Sequence, residues 1–388
     1  MVRGALQGES LQDEPSPRTK CGGVGVPRHN EIANLNVIEA ERKIYQKRGE
    51  KMRRTISFMI AIVFLFGLAN TGLGGEFSKV GTVGAQFLKI GMGARYVGMG
   101  EASVACVNDA YAMYWNPAGL TQLPKTNLSL TNVDWIGDVQ LNYVTFGKPL
   151  GDYAACGVSL TALSMGQMEV TTVDEPEGTG ETFTASSYCL VLGYARKLTD
   201  RFSAGISGKY IWERISEERA SGFAFDFGTL FYTGFKSLRM GMNISNLGSE
   251  MKVDGPELDS YYNPEPTNPN YDNVKSKLAV DPYDLPLTFR LGLAYDLIES
   301  PESKLTVSVE AKHPNDNIQQ ASFGGEYLWK DIFSLRAGYK FNYEEEGLTL
   351  GGGVKLKAGK KTNLDINYAW ADFSRLQSVH RFSLGFEF

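Results

Sequence analysis

From Asn127 to Phe388 apolar and polar residues alternate, and this constrains the fold more than any other feature of the chain. Successive side chains of a strand point to opposite faces, so a period of two assigns every residue a side. From Leu287 to Leu297 one face reads Leu287, Phe289, Leu291, Leu293, Tyr295 and Leu297. The other reads Thr288, Arg290, Gly292, Ala294 and Asp296. Phe333, Leu335, Ala337, Tyr339 and Phe341 oppose Ser334, Arg336, Gly338, Lys340 and Asn342 in the same way. The closing segment sets Phe382, Leu384, Phe386 and Phe388 against Arg381, Ser383, Gly385 and Glu387.

A soluble β-sandwich alternates too, but three features favour a transmembrane barrel. The strands run to about 9–11 residues, the length of a tilted membrane crossing. Aromatics near the ends of the apolar faces (Tyr295, Trp370, Phe388) suit an interfacial girdle. The other faces carry Arg290, Glu310, Arg336, Arg381 and Glu387, which suit a wet lumen better than a dry core. The pattern predicts an all-β, up-and-down antiparallel barrel of roughly 14 strands over residues 125–388. The strands fall near 127–136, 139–149, 153–164, 183–198, 202–215, 222–233, 238–245, 286–297, 304–312, 320–328, 333–342, 348–357, 363–371 and 377–388. Short connections at 150–152, 199–201, 234–236, 329–331 and 358–360 alternate with longer ones at 165–182, 216–221, 246–285, 313–319, 343–347 and 372–376. Outer-membrane barrels put short turns in the periplasm and long loops outside. An even strand count then places both ends in the periplasm. The longest loop, 246–285, is rich in Pro, Asn, Asp and Tyr and carries Tyr261-Tyr262.

Composition narrows the alternatives. A mean hydropathy of -0.22 excludes a bundle of membrane helices. A net charge of -5 disfavours nucleic acid as a partner. Cys21, Cys106, Cys156 and Cys189 show no metal or disulfide spacing, and His29, His313 and His380 are far apart. No metal, cofactor or catalytic cluster is expected, and the chain does not read as an enzyme.

Met52-Arg53-Arg54, the apolar run Ile56 to Ala69 and the small residues Asn70 to Gly75 form a secretory signal peptide over 52–75. The run is shorter than the ~20 residues of a spanning helix. Residues 1–51 precede it without pattern and read as a misassigned or disordered extension, with Met52 as the true start. The mature protein should therefore begin between Asn70 and Phe77 and fractionate with the outer membrane. N-terminal sequencing of purified protein checks this, and residues 1–51 still attached would refute it.

Within residues 76–124, the stretch ahead of the barrel, Gly84 to Leu120 does not alternate. The glycines at 91, 93, 98 and 100 superficially match a nucleotide loop, but no P-loop lysine or strand–loop–helix context follows. A short helix near Asp109 to Tyr114 should end at Asn116-Pro117, because a residue before proline avoids helical angles. Gly93-Ala94-Arg95, Gly98-Met99-Gly100, Asn108-Asp109-Ala110 and Trp115-Asn116-Pro117-Ala118-Gly119-Leu120 resemble the opening of the PorV/PorQ family. That family is related to the FadL-type outer-membrane proteins. The resemblance implies an N-terminal hatch folded into the lumen, an outer-membrane location and no catalytic residues. Arg95, Glu101, Asn108, Asp109 and Asn116 are expected to pair with lumen charges, which otherwise stay partly desolvated.

The resemblance implies an accessory or shuttle partner in type IX-like protein secretion, working with a translocon and its cargo. The alternative is a FadL-like transporter of hydrophobic small molecules. A general porin fits poorly with a plugged lumen. A transporter should show an apolar pocket between hatch and wall; a secretion partner should show an aromatic outer rim, which Tyr261-Tyr262 favours. Further expected partners are outer-membrane lipid and the barrel-assembly machinery. The latter reads a terminal strand such as the one ending at Phe388.

Overall fold

The computed structural model describes residues 80–264, 273–359 and 362–388. The extension at 1–51, the signal peptide expected at 52–75, residues 76–79, the middle of the longest loop, Lys360 and Lys361 lie outside the described residues.

The alternating segments form fourteen strands closed into one barrel. They are β1 (Asn127–Trp135), β2 (Val139–Leu150), β3 (Ala154–Ser164), β4 (Ala185–Thr199), β5 (Phe202–Ile215), β6 (Glu218–Tyr232) and β7 (Arg239–Gly248). They continue as β8 (Thr288–Glu299), β9 (Ser303–Pro314), β10 (Gln320–Trp329), β11 (Phe333–Phe341), β12 (Leu348–Lys357), β13 (Asn363–Asp372) and β14 (Ser378–Glu387). Each strand pairs antiparallel with its sequence neighbours, and β14 returns to β1 from Asn127↔Glu387 to Asp134↔His380. No edge is left, so the barrel's backbone donors and acceptors are satisfied without water, as lipid demands.

Side-chain phase follows the sequence pattern on most strands. On β11, Phe333, Leu335, Tyr339 and Phe341 point out, while Ser334, Arg336 and Lys340 are buried within. Three features depart from expectation. First, β1–β3 turn apolar groups inward near the end away from the termini: Val133, Leu141, Tyr143 and Leu163 are buried, while Asn132, Asp134, Gln140 and Asn142 face out. Aromatics of the N-terminal segment explain this, since Tyr111 stacks on Tyr143 at 5.9 Å. Second, Tyr295 is not an open girdle residue; it is 5% exposed, with the Lys236 ammonium over its ring at 6.0 Å. Third, the loop expected at 216–221 is only the turn between Ile215 and Glu218, because β6 begins early. The alternating run Arg219 to Phe223 extends the ladder where a loop was expected.

The ends of β1 and β14 that carry the chain termini of the barrel share one end of the cylinder. The long connections gather at the other, called here the loop end. There Asp259–Tyr262 pairs with Val274–Lys277 as a ribbon, with Tyr261 71% and Tyr262 63% exposed.

Cys156 lies among outward residues of β3, whereas Cys189 is 1% exposed on the inward face of β4. Their partners across the ladder are Tyr194 and Thr161, not each other. Both are free thiols, and opposite Cβ directions forbid a bridge. A non-reducing gel and intact mass should show no Cys156–Cys189 link.

Candidate functional site: the N-terminal segment and the loop-end cavity

The described residues before β1, from Val80 on, begin at the loop end and lead down to the start of β1. Val83 bridges to Asp284, and Lys89 Nζ sits 2.9 Å from Asp316 in the β9–β10 loop. The path then turns at Gly93 (φ 84°), where a Cβ would lie 2.9 Å from the Tyr111 ring. A helical turn, Ala94–Val97, follows, and its first N–H donates to Ser383 Oγ at 2.9 Å. The path needs glycine again at Gly100 (φ 65°), where a Cβ would lie 2.9 Å from the Phe323 carbonyl oxygen.

The wall is thinned to receive it. A Cβ on Gly338 would lie 2.1 Å from Gly100 N, and one on Gly324 2.0 Å from Met99 O. Backbone therefore meets backbone, with no flexible side chain to yield. Gly338→Ala should cost about 1–3 kcal/mol or more by overpacking. Gly208→Ala, whose nearest contact is the Phe225 ring at 3.7 Å, should be mild by comparison. Heat-modifiability on gels compares the two.

Charge pairing fixes the segment. Arg95 Nη2 lies 2.8 Å from Glu326, whose other oxygen is 2.7 Å from Arg336 Nε. Glu101 lies 2.7 Å from Lys340. The N–H groups of Ser103 and Val104 both donate to Glu310 Oε2 at 2.9 Å, while Arg290 holds Oε1 at 3.2 Å and covers the Trp115 ring. Glu101 and Asp109 belong to the segment, not to a spanning strand. Burial pushes the Glu101 pKa up, but Lys340, Lys312 and Arg290 outweigh it and hold it at about 2. Burial raises Asp109, against the pull of Arg95 and the Tyr96 hydroxyl.

Asn108 and Asp109 do not pair with lumen charges. Arg95 Nη1 donates to Asn108 at 2.7 Å, and Tyr96 Oη donates to Asp109 at 2.7 Å, so both brace the segment internally. The reason is reach: Arg95 lies between them and the wall. Helix Ala112–Trp115 stops at Asn116, which is extended (φ -166°) before Pro117. Asn116 Nδ2 donates to Val104 O and to Thr229 O on β6, and its Oδ1 accepts from Ala118 N. Trp115 donates to Met92 O. Pro117 backbone presses on Gly205, Gly119 packs on Val107, and Gly98 meets Gly351.

Glu387 accepts from Asn363 and lies 3.1 Å from Lys355 at the end away from the loops. Phe388 is 54% exposed, and its N–H donates to Thr126 O. The alternation placed Lys340 on the inward face, but nothing in the sequence marked it as the partner of Glu101 or Glu326 as the partner of Arg95. Both share the inward phase of their strands, and Glu326 sits opposite Arg336 in the ladder. That pairing was the available signal.

Two cavities flank the segment. One, of about 180 Å³, lies away from the loops among Arg95, Asp109, Glu326, Asp365 and Glu387. The larger, of about 540 Å³, opens at the loop end between the segment and β1–β4, with Phe87, Ile90, Trp135, Leu163, Glu101 and Arg381 in its lining. Among the described residues no group of three or more His, Cys, Asp or Glu is placed to hold a metal ion.

The family model described as type IX secretion system protein PorV matches residues 75–272. No curated protein matches the chain. Among solved structures, the chain is similar to the CymD monoaromatic hydrocarbon channel, at 14% identity and a TM-score of 0.51, over 76% of this chain and 96% of that one. It is also similar to the P. putida toluene transporter TodX, at 11% identity and a TM-score of 0.50, over 77% and 99%. At such identities these likenesses speak for the barrel fold alone. The family match covers about half of the chain, including the whole N-terminal segment and seven strands, and the rest closes the same cylinder. The chain belongs to the PorV family of outer-membrane β-barrel proteins.

Proposed function

We propose that the protein is an outer-membrane accessory of type IX-like protein secretion, which meets a translocon and its cargo at the loop end. The observation that carries this reading is the family match over the segment that fills the lumen. Its physical support is the tight seam at Gly100 and Gly338, together with the ion pairs at Glu326 and Lys340. A lumen bolted in this way favours work at its rim over passage through its centre. Tyr261 and Tyr262 supply the exposed aromatic edge that a protein partner buries well. In this reading the segment is a hatch, the chain is exported by the signal peptide at 52–75, and the assembly machinery inserts it into outer-membrane lipid.

The second reading, a transporter of hydrophobic small molecules, draws on the apolar part of the loop-end cavity, where Phe87, Val139 and Leu163 lie together. Affinity purification of the tagged protein from solubilised outer membranes separates the two. Co-purification of a large secretion channel is the expected result. Recovery of the barrel with only a lipid-like ligand would favour the transporter and count against the proposal.

A further inference from the structure

Toward the end away from the loops, the outward face of the barrel is apolar, with Leu150, Leu198, Phe231, Trp329 and Phe333 exposed on it. Two side chains break this pattern. Among the described strand residues, Lys148 on β2 and Arg196 on β4 are the charges in the outward phase at this end. The other outward charges, Asp134, Arg214, Arg219 and Asp372, lie at the loop ends of their strands. Lys148 and Arg196 are both exposed, and neither side chain finds an acceptor among the described residues. Nearby cations behave differently: Lys304 and Lys355 pair with Asp296 and Glu387.

The ladder sets the two cations around a single strand. Lys148 lies opposite Cys156, which lies opposite Tyr194; Arg196 lies opposite Ala154. With strands about 4.8 Å apart and two residues rising about 6.8 Å, their Cα atoms stand about 12 Å apart. Two long side chains can close that span on one ligand. Between them the outward positions of β3 are the small Ala154 and Cys156, so the cations flank a shallow notch. Toward the membrane centre the notch leads to Val158 and Leu192, both exposed, with Tyr194 at its border.

A cation on a lipid-facing wall lays its stem along apolar surface and sends its head to the interface. Short turns put this end in the periplasm, where phospholipid phosphates line the interface. An ammonium and a guanidinium offer donors and no acceptor, so their complement is an oxyanion. No outward carboxylate stands beside them to repel one.

We infer that Lys148 and Arg196 form a docking site for one anionic phospholipid of the periplasmic leaflet. Its phosphate sits between the two cations, and an acyl chain runs along Val158 and Leu192. The site does not rest on the secretion reading, because it lies on the outer wall, away from the lumen and the rim. The test uses full-length protein purified from outer membranes and freed of lipid by detergent exchange. Native mass spectrometry follows titration with phosphatidylglycerol or phosphatidylcholine carrying the same acyl chains. Phosphatidylglycerol should bind at least about tenfold tighter. Lys148→Gln and Arg196→Gln should each weaken it about fivefold and the double variant about thirtyfold, as expected for one and two cations at an anionic headgroup. Lys330→Gln, at a turn tip of the same end, should leave binding unchanged. Equal affinity for the two lipids, a preference kept by the double variant, or the same loss in Lys330→Gln overturns the proposal. If the double variant does not assemble, the single variants decide, and an unchanged preference in either of them overturns it.

Discussion

Deleting residues 81–120 should leave a barrel that inserts into membranes and conducts ions, where the full-length protein stays closed. The ladder does not need the segment, because every strand pairs with its neighbours and β14 closes on β1. The outward face keeps its lipid contacts through Phe223, Phe225, Phe323 and Leu335. Apart from the apolar patch of Val133, Leu141, Tyr143 and Leu163, the inward face left behind is wettable. Arg290 and Glu310 remain paired, as do Lys209 and Asp226 at 2.8 Å and Arg239 and Asp296 at 3.0 Å. Water can replace the lost N–H donors on Glu310. Barrels only slightly wider hold open aqueous channels, so conductance should rise about tenfold or more. Planar-bilayer recording measures it. If the full-length protein already conducts as well as the deletion, the segment does not close the lumen.

Removing Phe388 should reduce assembly several-fold, with unfolded, protease-sensitive protein accumulating in the periplasm. Phe388 continues the outward series of Phe382, Leu384 and Phe386 on the last strand. Before closure that strand presents an unpaired backbone ladder, the feature an insertion machine can grip. The ring is half exposed in the finished barrel, so its loss costs the assembled state about 1 kcal/mol or less. Assembly and stability can therefore be told apart. Pulse-labelling with protease challenge reads the first, and heat-modifiability reads the second. Unchanged assembly for both the deletion and Phe388→Asp would show that the residue is only an interfacial anchor.

The barrel was legible because a membrane crossing forces alternation on each strand by itself. Ser334, Arg336 and Lys340 could be assigned inward from local sequence alone. Features set by the segment were not legible in that way. Val133, Leu141 and Tyr143 turn inward because Tyr111 and Tyr114 wait there, and no local period announces an apolar patch inside a wet lumen. The early start of β6 was hidden by a run of charged and small residues, Glu218 to Gly222, that suits a loop by composition and a ladder by pairing. Within the segment the motif residues stood out, but their partners did not. Asp109 looked like a wall contact and braces Tyr96 instead; Arg95 reaches the wall at Glu326, a distant residue that only topology brings near.

The backbone-to-backbone seam has a consequence for how the molecule is made. The segment leaves the ribosome before the strands, yet its contacts lie far downstream. Val104 waits for Glu310, Gly100 for Gly338, and Ala94 for Ser383, which is 289 residues away. Contacts at such separations form late, because chain closure must come before any of their gain. Until the fourteenth strand arrives, Tyr111 and Trp115 have only part of their enclosure. Closure of the cylinder therefore has to come before the segment is fully enclosed. A chain truncated before β14 lacks both the strand that seals the wall and the hydroxyl that receives Ala94, so an incomplete copy should be cut by added protease where the full chain is not.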